Sequence, residues 1–173
     1  NMEKNKISYK WIGKDFEENK LYWKDRSTDE NLKIRIDNLK LLNQLLVEND
    51  IFYFLEGNTL RSIFRENKLD VEDHDDDLGV FIKSKRKLIN LEKELNKFGF
   101  LIIRSNKDMI SVYRNKRYID ICLFKKSLLY IGYGQKAFPK KYYRSFKKLS
   151  YEDIEFNIPA LAEDLLKTRY GNK

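Results

Sequence analysis

Between residues 66 and 77 the chain places Glu66, Asp70, Glu72, Asp73, Asp75, Asp76 and Asp77, an acidic crowd inside a protein whose net charge is +8. Read in extended form, the end of this run alternates faces, so that Asp73, Asp75 and Asp77 point one way and His74 and Asp76 the other. Carboxylates sharing a face repel one another unless a cation sits between them. Hard divalent ions, Mg²⁺ or Mn²⁺, take carboxylate oxygens together with substrate phosphates. A pair of such ions clamps the attacking and leaving oxygens in phosphoryl chemistry. The competing reading is a solvated acidic loop, the usual fate of a charge run. Against it, the run leads straight into the apolar Leu78-Gly79-Val80-Phe81-Ile82. A further carboxylate, Asp120, interrupts the apolar Tyr118-Ile119-Asp120-Ile121-Cys122, where a buried charge needs a partner. A calcium loop of the EF-hand kind starting at Asp73 fails in register, because Leu78 stands where glycine is required and Ser84 where glutamate is.

The second chemical feature is complementary. Residues 125–150 contain no acid, while Lys125, Lys126, Lys136, Lys140, Lys141, Arg144, Lys147 and Lys148 interleave with Tyr130, Tyr133, Phe138, Tyr142, Tyr143 and Phe146. Aromatic faces stack bases and cations hold phosphates, which suits a nucleotide donor, an anionic acceptor or single-stranded nucleic acid. The competing reading is a lysine-rich face with its aromatics turned inward. Arg65, shortly after Gly57, is a candidate phosphate contact, with an ion pair to Glu66, Asp70 or Glu72 as the alternative. His74, the one histidine, faces away from the supposed metal side by alternation and reads as structural. Cys122 alternates away from Asp120 and reads as core; a single cysteine excludes an internal disulfide.

The elements that must position these groups are legible as periodicities. Ser27 followed by Glu30 fits a capping box, and Leu32, Ile36, Leu39, Leu42 and Leu46 recur at helical spacing up to Asn49 and Asp50. Residues 51–55 predict a strand, Glu56-Gly57-Asn58 a turn, and residues 60–64 a short helix. Residues 78–82 predict a strand, and Leu88, Leu91, Leu95 and Phe98 one helix closed by Gly99. Residues 100–104, 109–113 and 118–124 are β-rich runs broken by polar turns, which predicts a meander. Residues 154–158 are extended, Pro159 opens a final helix with Leu161, Leu165 and Leu166 on its apolar face, and Gly171 closes it. The class is α+β with a mixed sheet.

With 173 residues, 42% hydrophobic and 14% aromatic, the chain has the means for one ordinary core without staples, and a disordered chain is excluded. We divide it into a polar lead-in over 1–26 and a single domain over 27–173. The positive charge favours anionic partners without choosing among them. No apolar run approaches the ~18 residues of a membrane span, so a cytoplasmic protein without a transmembrane segment is expected.

Leu55-Glu56-Gly57-Asn58-Thr59-Leu60, Arg65, Asp73-His74-Asp75-Asp76-Asp77-Leu78-Gly79 and the closing Ile158-Pro159 and Tyr170-Gly171 resemble the LicD-type phosphotransferases, the group that includes fukutin and fukutin-related protein. The resemblance runs from about residue 51 to the end. It implies a DNA polymerase beta-like nucleotidyltransferase fold, a mixed β-sheet flanked by helices, in which a Gly-containing turn opens a helix beside the substrate phosphates. It implies Gly57 and Asn58 as that turn, Asp75 and Asp77 as the metal pair, Asp73 as an auxiliary carboxylate and Asp120 as third ligand or base. Elementary physics agrees, since a turn with little side chain lets backbone N–H groups approach phosphate oxygens and a helix N-terminus favours anions.

The resemblance further implies transfer of a substituted phosphate, phosphocholine-like or polyol-phosphate-like, from a CDP-linked alcohol to a glycan or polysaccharide hydroxyl. Mg²⁺ or Mn²⁺ would be the cofactor. Gly57, Asn58, Thr59, Arg65, Lys140, Arg144, Lys147 and Lys148 are the candidate substrate-binding residues. Two alternatives stand beside it: a nucleotidyltransferase moving NMP to a small molecule, protein or RNA, and a non-catalytic basic nucleic-acid-binding module. Seven acids at the supposed binding face weigh against nucleic acid as a partner.

Overall fold

A computed structural model of the chain describes residues 29–172; the lead-in and Ser27 of the expected capping box lie outside the described residues. The first helix, α1 (Asp29–Glu48), follows from its leucine stripe, and Leu39, Leu42, Leu45 and Leu46 are all buried. That stripe also contains Arg35 and Asn38, 2% and 1% exposed, two polar residues that helical spacing places among the leucines.

The short strand β1 (Tyr53–Leu55) runs into helix α2 (Gly57–Glu66), which starts three residues earlier than periodicity suggests because Gly57 already belongs to it. Strand β2 (Asp76–Phe81) carries the end of the acidic run. The helix expected through Leu88 to Phe98 is two short ones, α3 (Lys85–Asn90) and α4 (Glu92–Lys97), meeting at Leu91. Leu88 and Leu95 are buried while Phe98 is 39% exposed, so the apolar spacing that suggested one helix does not all face the core. The meander follows as β3 (Leu101–Ser105), β4 (Met109–Arg114) and β5 (Arg117–Lys126).

The basic stretch forms a hairpin, β6 (Tyr130–Tyr133) and β7 (Lys136–Pro139), then a 3₁₀ turn (Lys140–Tyr143) and strand β8 (Phe146–Tyr151). Strand β9 (Ile154–Pro159) pairs with β8, and α5 (Ala162–Tyr170) closes the described chain. Pro159 therefore ends a strand instead of opening the helix, and its carbonyl-side neighbours bridge to Ala162.

The main sheet has the order β1-β2-β5-β4-β3, with β6 and β7 continuing from the far end of β5. β2 and β5 are parallel and the other pairings antiparallel, so the sheet is mixed. Their register sets Asp77 opposite Asp120 and Asp76 opposite Ile119. Paired residues of neighbouring strands point to the same face of a sheet, so this one pairing brings together two acids far apart in sequence. The β8–β9 ribbon is tied to β1 by the Asn157 amide, which donates to the Tyr53 carbonyl at 2.9 Å. Among the described residues no helix is long and apolar enough to cross a membrane.

Candidate active site

Two faces of β2 do different work. On one, Asp76 is 1% exposed and held two-pronged by Arg35 of α1, Nε to Oδ2 at 3.0 Å and Nη2 to Oδ1 at 2.9 Å. The same guanidinium donates to the carbonyls of Asp70 and Asp73 at 2.8 and 3.2 Å, so one arginine pins both the strand and the acidic loop before it. A buried carboxylate with a bidentate arginine is structural chemistry. The signal for it was in the sequence, as a cation inside an apolar helical stripe.

On the other face, the carboxylate oxygens of Asp75, Asp77 and Asp120 lie within 4.8 Å of one another. Burial pushes the Asp75 carboxyl up to about 9, with the charges of Asp77, Asp120 and Asp73 adding to it. Asp77 is raised well above its ordinary value, again by burial first and by Asp120 and Glu56 after it. Three mutually repelling hard oxygen donors in one cleft are a donor set suited to Mg²⁺ or Mn²⁺. Asp120 is oriented from behind: the Ser111 hydroxyl donates to Oδ1, and Arg104 Nη2 donates to the same oxygen at 2.8 Å. Ser111 faces Asp120 across the β4–β5 ladder, and Arg104 also donates to the Ser111 hydroxyl at 2.8 Å. Neither residue was singled out by the sequence, because their relevance depends on strand pairing.

The Glu56-Gly57 turn lies directly against this cluster. Gly57 has φ +57°, and a Cβ built there would stand 3.0 Å from Asp77 Oδ2. The position thus requires glycine twice, for the left-handed backbone and for the approach to the carboxylate. The Glu56 N–H donates to the Asp77 carbonyl at 3.1 Å, which fixes the turn to β2. The α2 N-terminus consequently opens beside the three carboxylates, where its dipole favours a phosphate.

Other residues expected in substrate contact make the following contacts within the protein. Thr59 is buried, its hydroxyl accepting the Asp77 N–H at 2.9 Å and donating to Asp76 Oδ1 at 3.3 Å, so it braces β2. The Asn58 amide donates to Asp70 and Asp73 at 2.9 and 2.8 Å and its oxygen accepts from Arg61 Nε at 2.8 Å, which ties the acidic loop to the helix start. Arg65, at the far end of α2, donates to the Gly171 carbonyl at 2.8 Å, because a helix of this length carries it away from the turn.

His74 does not face away from its neighbours. Residues 71–75 form a turn and bend where extended backbone was expected, and its ring nitrogens lie 3.9 Å from Asp73 Oδ1 and 3.9 Å from Asp75 Oδ1. Asp73 holds the loop through Asn58 and accepts the His74 N–H at 2.9 Å.

In the basic stretch the aromatics are mostly turned inward. Tyr133, Tyr142 and Tyr143 are buried; Tyr133 and Tyr143 pack against Phe124, Tyr143 also against Phe138, and the Tyr142 hydroxyl donates to Asp164 at 2.9 Å. Lys147 sits over the Phe64 ring at 5.5 Å, and Lys148 lines a separate cleft with Phe52, Tyr53 and Asn157. The Lys140 backbone N–H closes onto the Leu129 carbonyl, and Arg144 is exposed.

No family model matches the chain, and no curated protein matches it. Among solved structures it is similar to the lincosamide antibiotic adenylyltransferase LnuA in its lincomycin-bound form. The identity is 18%, the match covers 82% of this chain and 86% of that one, and the TM-score is 0.49. These findings correct the LicD-type assignment, and with it the CDP-linked alcohol donor and the glycan acceptor: no family supports them, and the similar structure is an adenylyltransferase.

The physical reason lies in what the matching residues do. A glycine turn, paired aspartates and a third carboxylate on the next strand serve phosphate and metal chemistry in general, while Pro159 and Tyr170-Gly171 occupy a strand end and a helix end. They carry no donor specificity. The turn-and-helix lies beside an acidic strand, with its third carboxylate delivered by the parallel neighbour of that strand, within the expected α+β fold of a mixed sheet flanked by helices.

Proposed function

We propose that the protein is a metal-dependent nucleotidyltransferase that moves an NMP group from a nucleoside triphosphate to a hydroxyl of a small molecule. The observation that carries this reading is the convergence of Asp75, Asp77 and Asp120 beside the glycine-opened N-terminus of α2. The carboxylates would hold one or two Mg²⁺ or Mn²⁺ ions, whose charge, when bound, offsets the triphosphate and the developing negative charge at the reacting oxygens. The backbone of the turn receives phosphate oxygens, and its lack of a side chain lets them come close to the carboxylates. Asp120 is held at Oδ1 by Ser111 and Arg104 and offers a carboxylate oxygen to the cluster with Asp75 and Asp77. The acceptor hydroxyl gives its proton to one of these carboxylates as its oxygen attacks the α-phosphorus, the bond from that phosphorus to the oxygen shared with the β-phosphate breaks, and pyrophosphate leaves with that oxygen.

A small acceptor is favoured over RNA by the state of the cations around the cleft. Among the described residues, Arg35 is engaged with Asp76, Arg104 with Asp120, Arg61 with Asp70 and Glu66, and Arg169 with Glu56. A polyanion needs a track of cations turned toward it. The test is transfer of label from each of the four α-³²P nucleoside triphosphates, with Mg²⁺ or Mn²⁺, to a panel of hydroxyl-bearing small molecules, RNA and protein. Metal-dependent labelling of a small molecule with matching pyrophosphate release is expected, together with its loss in Asp75→Asn. Labelling confined to RNA or protein, or no labelling with any donor, would overturn the reading.

A further inference from the structure

Directly behind the phosphate turn lies a charge that the proposed reaction does not use. Glu56, the residue before Gly57, is 0% exposed, and its carboxylate is inside the molecule beside Asp77. A bare carboxylate at the mouth of a helix meant for a triphosphate would repel the substrate. It is closed off by Arg169 from α5, Nη1 to Oε1 at 2.5 Å and Nη2 to Oε2 at 3.1 Å, and by the Tyr133 hydroxyl from β6, which donates to Oε2 at 2.5 Å.

Arg169 is itself fixed, with its guanidinium 4.5 Å from the Phe138 ring centroid and 5.4 Å from that of Tyr170. The C-terminal helix therefore reaches the turn from one side and the basic hairpin from the other, and they meet at a single carboxylate. Two more contacts hold α5 along α2: Arg65 to the Gly171 carbonyl at 2.8 Å, and Arg61 over the Tyr170 ring at 6.0 Å.

We infer that Arg169 is a positioning residue for nucleotide binding: by neutralising Glu56 from behind, it keeps the turn at Gly57 electrically open to a triphosphate. This rests on the nucleotidyltransferase reading. The hydrogen bonds of Arg169 go to Glu56 and its ring contacts to Phe138 and Tyr170, none of them to Asp75, Asp77 or Asp120, so it acts through Glu56. The arrangement has a reason to exist, because a glutamate that caps onto β2 through its N–H could as well have been neutral. With the pair in place, α5 and the hairpin are locked to the turn by geometry that neither charge would hold alone.

The test measures KM and kcat for the triphosphate, and metal-nucleotide affinity by titration, in the full chain and in Arg169→Lys, Arg169→Met and Glu56→Gln/Arg169→Met. Leaving Glu56 charged and unpaired in Arg169→Met should raise KM and the nucleotide dissociation constant roughly tenfold or more, the scale of one uncompensated charge beside a partly buried anion. kcat should stay within about threefold, since Asp75, Asp77 and Asp120 themselves are unaltered in the variant. Arg169→Lys should fall between.

The double variant removes both charges and should bring KM back toward the parent, a rescue that a purely structural clasp would not give. It also covers the case in which Arg169→Met fails to fold, because the comparison then rests on Arg169→Lys and the double variant. An unchanged KM in Arg169→Met or Arg169→Lys, or a double variant as impaired as the single, would overturn the inference alone. A parent chain that binds no metal-nucleotide would overturn the nucleotidyltransferase reading and take the inference with it.

Discussion

Gly57→Ala separates backbone strain from displacement of a carboxylate, because the chain supplies its own control. Gly57 and Gly134 share φ +57°, yet a Cβ at Gly57 would meet Asp77 Oδ2 at 3.0 Å whereas one at Gly134 meets nothing within 4 Å. Forcing alanine into the left-handed region costs about 1–2 kcal/mol at either site. For a chain of this size each kcal/mol lowers Tm by roughly 2–4 °C, so both variants should melt roughly 2–8 °C below the parent.

Beyond this shared strain, Gly57→Ala must push the Asp77 carboxylate by a few tenths of an ångström away from Asp75 and Asp120. Ligand distances at a metal site tolerate only about 0.2 Å, and disturbing the support of a ligand typically weakens metal affinity by about 10–100-fold. Mn²⁺ titration followed by electron paramagnetic resonance, with melting curves on the same samples, reads both effects. Gly57→Ala should bind Mn²⁺ at least tenfold more weakly than Gly134→Ala at similar Tm. Equal Mn²⁺ affinity in the two variants would refute the claim that the turn and the carboxylate share one tightly packed site.

Asp75→Asn and Asp77→Asn remove mutual repulsion together with metal charge, so each should keep or gain stability in the metal-free state while transfer activity falls by roughly two orders of magnitude or more; melting curves and labelled-nucleotide transfer test the pair. In the metal-free protein, folded Asp75 and Asp77 keep protons that the unfolded chain releases from about pH 4 upward, Asp75 until about pH 9. Metal-free stability should therefore fall as pH rises through that window, and Mg²⁺ should restore it at the alkaline end. Urea unfolding with EDTA or Mg²⁺ at several pH values would show it, and a flat profile would count against the cluster. Arg35→Met strands Asp76 as a buried unpaired charge, for a loss of roughly 3–5 kcal/mol, most of which Arg35→Met/Asp76→Asn should recover; denaturant midpoints decide.

Local periodicity made most elements legible. The leucine stripe of α1, the apolar runs of β1 to β5 and the Gly99 break are short-range patterns, and the chain adopts them because burying each apolar face requires that spacing. Alternation put Asp73, Asp75 and Asp77 on one face, and of these Asp75 and Asp77 lie together with Asp120, the lone carboxylate among apolar neighbours. The donor group was not legible, since turn and aspartates serve a mechanism shared by many substrates. Alternation misplaced His74, because the loop before β2 bends where period-2 reasoning assumes an extended chain.

What only tertiary structure decided are the long-range pairings: Asp77 opposite Asp120 across parallel strands, Arg35 on Asp76 over 41 residues, and Arg169 on Glu56 over 113. Each is a charged contact between elements whose own patterns are satisfied without it, and its energy exists only once packing has excluded water and set the register. Composition counts such residues as surface charge, and the fold turns these three pairs into the frame of a site.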